Sequence, residues 1–165
     1  MKTSREHYLL GKLLLNRNNY EDAITELQAA VALEPNRAHA QYLLGFAFNR
    51  RGAYAWAATH FQHARRLRPN NAEYYMALAS ALRSLGERTE AVAEMYGAVR
   101  LEPKTARYHA LLGLTLTEDR QFAEGRRELL HAIRLCPWRP DFWAVYGIGL
   151  IYAFVLWFFC PPKDF

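Results

Sequence analysis

Only two cysteines, Cys136 and Cys160, occur among the 165 residues, too few for a disulfide-dense scaffold or a four-cysteine zinc site. No glycine-rich phosphate loop or pair of catalytic carboxylates emerges, and Ser4, Ser80 and Ser84 lack the flanking glycines of a hydrolase elbow. His60 and His63 lie three apart on a helical spacing, yet no Asp, Glu or Cys stands near them to complete a metal set. The sequence thus points away from an enzyme and implies neither metal nor cofactor. What is present is material for a core: 52% of residues are hydrophobic, 14% aromatic and 22% charged. One further absence stands out, since residues 142–159 contain no charge at all.

A period of 34 organises everything before that stretch. Gly11, Gly45 and Gly113 are spaced by 34 and then 68, with Ala79 at the intervening step, and Pro35, Pro69, Pro103 and Pro137 recur every 34. Four equal repeats follow, 4–37, 38–71, 72–105 and 106–139. Inside the first, Leu10, Gly11 and Leu14, then Ala23, Leu27 and Ala30, fall at three- and four-residue spacing, which predicts two amphipathic helices per repeat. Asn18-Asn19 and Arg51-Gly52 supply turn chemistry between the helices. The recurrent proline stops the second helix, because it has no N–H to donate and disfavours helical geometry in the residue before it.

These residues resemble the signature of the tetratricopeptide-repeat family over nearly all of 4–139. Repeat one carries it as Leu10-Gly11, Leu14, Tyr20, Ala23, Leu27, Ala30 and Pro35; repeat two as Leu44-Gly45, Phe48, Tyr54, Ala57, Phe61, Ala64 and Pro69. Repeat three departs with Ala79 and Arg88, and repeat four with Gly125 in place of Ala. A glycine inside a helix costs about 0.5 to 1 kcal/mol relative to Ala, so the second helix of repeat four is expected to be the least stable. The resemblance implies an all-α, right-handed α-solenoid of four helical hairpins in residues 1–139, followed by an apolar helix in 140–165 that either crosses a membrane or caps the stack.

The family's geometry implies a concave groove lined by first helices. Matching positions here include Tyr8, Lys12, Tyr42, Phe46, Met76, Arg83 and Arg107, an aromatic surface with a basic fringe suited to an extended or helical protein segment. Members that grip an acidic chaperone terminus use Lys, Asn and Arg at positions that hold Tyr8, Lys12, Leu43, Glu73 and Ala77 here, or Tyr42, Phe46, Ala77, Arg107 and Leu111 in the frame shifted by one repeat, so that clamp is absent. Repeat two contains Arg50, Arg51, Arg65, Arg66 and Arg68 and no Asp or Glu, giving it a charge of +5, equal to the net charge of the chain. These arginines either complement helix carboxyl ends or form a docking patch for an acidic protein surface or anionic lipid. No nucleic-acid motif accompanies them, and no small-molecule substrate is evident.

Residues 142–159 read FWAVYGIGLIYAFVLWFF. Eighteen residues of helix span about 27 Å, against about 30 Å for a hydrocarbon core. Phe142 and Phe159 bound the stretch; Trp143, Tyr146 and Trp157 suit the interfaces; Gly147 offers a small-residue contact surface; Tyr152, near the middle, requires a polar partner. Arg126, Arg127, Arg134 and Arg139 precede the span and only Lys163 follows it, which places the repeats on the cytoplasmic or equivalent side, the mitochondrial one included. The expected protein is a single-pass, membrane-anchored scaffold acting through protein partners, as an accessory or assembly subunit of a larger membrane complex. The rival expectation is a tail-anchored organelle adaptor that recruits soluble partners.

Overall fold

The computed structural model describes residues 2–137 and, separately, Gly147. The expected span residues Phe142, Trp143, Tyr146, Tyr152, Trp157 and Phe159 lie outside the described residues. Among the described residues, eight α-helices occur and none is long and apolar enough to cross a membrane. They are α1 (Ser4–Asn16), α2 (Tyr20–Leu33), α3 (Ala38–Arg50), α4 (Tyr54–Leu67), α5 (Ala72–Leu85), α6 (Arg88–Leu101), α7 (Ala106–Glu118) and α8 (Phe122–Leu135). Each 34-residue repeat therefore contributes two helices, with the breaks where the turn residues and prolines predict them.

Local chemistry sets the helix ends. Thr3 and Glu6 form a reciprocal capping box on α1, while Asn19 and Asn71 accept from the first-turn amides of α2 and α5. The turn inside every repeat contains one residue in the left-handed region, at Asn18, Gly52, Gly86 and Arg120. The amide after each reaches back five residues, as in Asn19 N to Leu14 O and Gln121 N to Leu116 O, so an orphan helix carbonyl is satisfied four times in the same way.

The helices group into two compact units, one spanning Met1–Glu87 and one beginning at Arg88. In the first, α1, α3 and α5 lie side by side, with α2 packed on α1 and α3, and α4 packed on α3 and α5. In the second, α7 packs against both α6 and α8. The signature glycines explain how closely paired helices meet. A methyl group on Gly11 would lie 2.6 Å from Leu27 Cγ, one on Gly45 2.8 Å from Phe61 Cδ1, and one on Gly113 2.7 Å from Leu129 Cγ. Leu27, Phe61 and Leu129 are fully enclosed there, together with Ala23, Ala57 and Ala132.

Polar pairs lock the two helices of a hairpin at one recurring position. His7 Nδ1 lies 2.6 Å from Glu26 Oε2, His60 Nδ1 2.8 Å from Gln41 Oε1, and His109 Nδ1 2.7 Å from Glu128 Oε2. Gln41 Nε2 also donates to the Pro35 carbonyl and His109 Nε2 to the Pro103 carbonyl. Lys2 adds an ion pair to Glu26 at 2.9 Å; its hydrogen bond, then that of His7, holds the Glu26 carboxyl below its ordinary pKa.

Candidate partner-binding groove

In the first unit, α1 and α3 present successive turns of one face, and two clefts follow them. The first, of about 400 Å³, is lined by Lys12, Leu15, Tyr20, Tyr42, Phe46 and Arg50. Phe46 is 37% exposed, and Lys12 reaches solvent beside it. Arg50 is fixed by donating from Nε to the Tyr20 hydroxyl at 3.0 Å with its guanidinium 5.5 Å from that ring. The second cleft, of about 630 Å³, lies at the amino end of α3 and includes Tyr8, Arg37, His39 and Arg68.

An aromatic train runs beneath both clefts. Tyr8 meets His39 edge-on at 5.9 Å between ring centroids, His39 meets Tyr42 at 5.7 Å, and Tyr42 stacks on Tyr74 at 5.2 Å and tilts against Phe61 at 5.8 Å. The Tyr8 hydroxyl lies 3.0 Å from His39 Nδ1, and the Tyr42 hydroxyl donates to Glu73 at 3.3 Å. Tyr74 is 2% exposed, and its burial raises the phenol's pKa.

Placement of the sequence-predicted residues is uneven. Tyr8, Lys12, Tyr42 and Phe46 do share one face, and all line a cleft. Tyr42, however, divides its ring between the groove and the core clusters around Phe61 and Tyr74, so it is a structural residue as much as a lining one. Met76 is 7% exposed, which corrects its expected role: packing within the fold has removed it from the accessible lining. Arg83 lies in the last turn of α5, and Arg107, exposed at the start of α7, belongs to the second unit.

The five arginines of repeat two do not form one patch, a second correction. Arg50 and Arg51 end α3, whereas Arg65, Arg66 and Arg68 end α4, which runs back along it; the 14 residues of α4 separate the groups by about 20 Å. Arg51 is ion-paired with Glu21, and the Arg65 guanidinium lies 5.4 Å from the Tyr75 ring centroid. Arg66 and Arg68 are exposed. Arg37, which sequence reasoning assigned no role, is brought by its place before α3 into the second cleft, with its guanidinium 4.1 Å above the Tyr8 ring centroid.

His60 belongs to a hairpin lock: it is bonded to Gln41 and stacked on Phe48 at 5.5 Å. Among the described residues, no three His, Cys, Asp or Glu side chains group so as to hold a metal ion.

Sequence comparison agrees with this architecture. A family model described as tetratricopeptide repeat matches residues 8–72, and a second with the same description matches 72–105. The chain carries tetratricopeptide repeats. Solved structures share the fold. MamA 41-end from Desulfovibrio magneticus RS-1 is 21% identical, with 98% of this chain and 97% of that one covered and a TM-score of 0.79. YrrB, described as a tetratricopeptide-repeat protein with an unusual peptide-binding site, is 21% identical over 89% of this chain and 76% of its own, with a TM-score of 0.76. A thermophilic protein of the same repeat class from Thermus thermophilus, TTC0263, is 20% identical over 98% and 93%, with a TM-score of 0.72. No curated protein gives a match.

Proposed function

We propose that the protein is a membrane-anchored scaffold that works by binding, with the face of α1 and α3 as its working surface and with an accessory or assembly role in a larger membrane complex. The observation that carries the binding reading is Phe46, an aromatic side chain left exposed between Lys12 and Arg50 in a cleft of about 400 Å³. A large apolar group held at the surface by a rigid helix is an anchor for a partner side chain, since it offers contact area at little ordering cost. The peptide-binding site described for YrrB, a neighbour in fold, supports a peptide as the class of partner.

The anchor rests on the 18 uncharged residues of 142–159, and the arginines that precede them favour the repeats on the cytoplasmic or equivalent side. Lipid would then be a second partner through that segment. Tethering would raise the effective concentration of the groove toward proteins in the same membrane, so modest contacts suffice. The test is purification of the full-length chain in mild detergent. Stoichiometric recovery with integral membrane subunits, lost in Phe46→Ala, is the expected result; partition of the intact chain into the aqueous fraction after carbonate extraction would overturn the anchor. Recovery with soluble proteins alone would favour the adaptor role instead.

A further inference from the structure

The second cleft contains chemistry that the Phe46 anchor does not use. It opens at the start of α3, where three cationic or ionisable groups converge: Arg37, His39 and Arg68. Arg37 is held over the Tyr8 ring at 4.1 Å, and Tyr8 is in turn tied to His39. Arg68 is exposed and makes no ion pair among the described residues. The amino end of α3 adds to this field. Unlike α1 and α5, it has no capping side chain and no acidic residue in its first turn. Among the described residues the only carboxylate lining the cleft is Glu34, whose Oε2 accepts from Arg37 Nη1 at 3.5 Å from a largely solvated position, a pair that contributes little.

The two clefts share α1 and α3. Tyr8 and His39 line one, while Lys12, Leu15 and Phe46 line the other. Nine residues separate Arg37 from Phe46, an axial distance of about 13.5 Å, which an extended peptide covers in about four residues with both end side chains on one face.

Building on the groove reading above, we propose that the groove recognises an unmodified acidic peptide, seating an Asp or Glu carboxylate on Arg37 and Arg68 and an apolar side chain, about four residues away, on Phe46. Glu34 acts as the internal competitor that the peptide carboxylate displaces. The lowered pKa of His39 agrees with a cationic surrounding: desolvation lowers it first, and Lys12, Arg68 and Arg37 lower it further.

The experiment is selection of a displayed library of random, unmodified dodecapeptides on the full-length protein in mild detergent, followed by titration of enriched synthetic peptides. Enrichment of Asp or Glu about four positions from Phe, Leu or Met is expected. Arg37→Gln and Arg68→Gln should each weaken such peptides about tenfold, as expected for loss of a charge-assisted contact. Replacing the peptide's acid by its amide should do the same, whereas Glu34→Gln should strengthen binding severalfold. Circular dichroism confirms that these surface variants fold. Peptides that need Phe46 but neither an acid nor the two arginines would overturn this inference and leave the groove reading intact. Failure to enrich any peptide that depends on Phe46 would overturn both. Binding of phosphoserine peptides with no response to Asp or Glu would overturn the carboxylate assignment.

Discussion

Gly113 and Gly125 face each other so closely that a methyl group on either would lie 2.8 Å from the other's carbonyl oxygen. In the first hairpin the corresponding approach of the Ala23 carbonyl to Gly11 is 3.5 Å, and in the second that of Ala57 to Gly45 is 3.1 Å. The departure at Gly125 therefore belongs to a tighter crossing. Thr117 completes it: its hydroxyl donates to the Gly113 carbonyl at 2.8 Å and would lie 2.7 Å from a methyl on Gly125.

Two effects of opposite sign compete in Gly125→Ala. Helix propensity favours Ala by up to about 1 kcal/mol, while overpacking a close crossing costs about 1–3 kcal/mol. The obstructing atoms are largely backbone, which cannot swing aside, so net destabilisation of about 1–2 kcal/mol is expected. Urea titration followed by circular dichroism reads it, and a variant more stable than the parent would show that the crossing yields.

Arg120 adopts φ 66° at a turn position where Gly52 and Gly86 adopt 77° and 86°. An L side chain in this region costs about 1 kcal/mol, partly offset on substitution by the greater entropy of glycine in the unfolded chain. Arg120→Gly should raise stability by up to about 0.5 kcal/mol, and Arg120→Asn by a similar amount. A midpoint shift in chemical denaturation decides it; a lower midpoint would mean that the arginine makes contacts worth more than the strain.

Acidification should weaken the fold through His60. Burial, and secondarily His63, lowers its pKa below the ordinary value of 6.5. In the native state the ring thus binds a proton less readily than in the unfolded chain, so its contribution is complete above pH 6.5 and is lost as pH falls through the lowered native value. Glu26, lowered from 4.5, acts in a separate and more acidic window, where its stabilisation is lost. The midpoint of unfolding should therefore fall between pH 7.5 and pH 5.5 in the parent and fall less in His60→Gln. Equal slopes for the two proteins would remove His60 from the account.

Tyr42 and Phe46 should separate stability from binding. Tyr42→Ala removes a ring packed against Phe61 and Tyr74 and should cost about 2–3 kcal/mol. Phe46→Ala, at a partly exposed site, should cost only about 1 kcal/mol while abolishing partner capture. Thermal melts alongside a pull-down test both halves, and loss of fold in Phe46→Ala would contradict its placement.

The helical plan was legible because it is written redundantly: the prolines, the small residues and the apolar spacing all repeat at 34, and local signals agree with the packing they lead to. Residues with two roles were harder to read. Position 42 matches position 8 in the repeat, yet Tyr42 has Tyr74 and Phe61 as neighbours while Tyr8 has Arg37 above it. Periodicity assigns a face, not a degree of enclosure, which is why Met76 was expected on the surface and is found buried. The arginines of repeat two show the converse. Closeness in sequence suggested a patch, whereas reversal of the chain at Gly52 sends its two halves to opposite ends of a hairpin.

The polar locks of the first two hairpins have a bearing on how the chain avoids mispairing. Its repeats are alike enough that helices could dock on the wrong neighbour during folding. Exchanging α2 with α4 would set His7 against His60 and Gln41 against Glu26, replacing a carboxylate–imidazole contact with two imidazoles that repel once protonated. The α1 and α3 helices thus discriminate between α2 and α4, a safeguard that an array of identical repeats would lack.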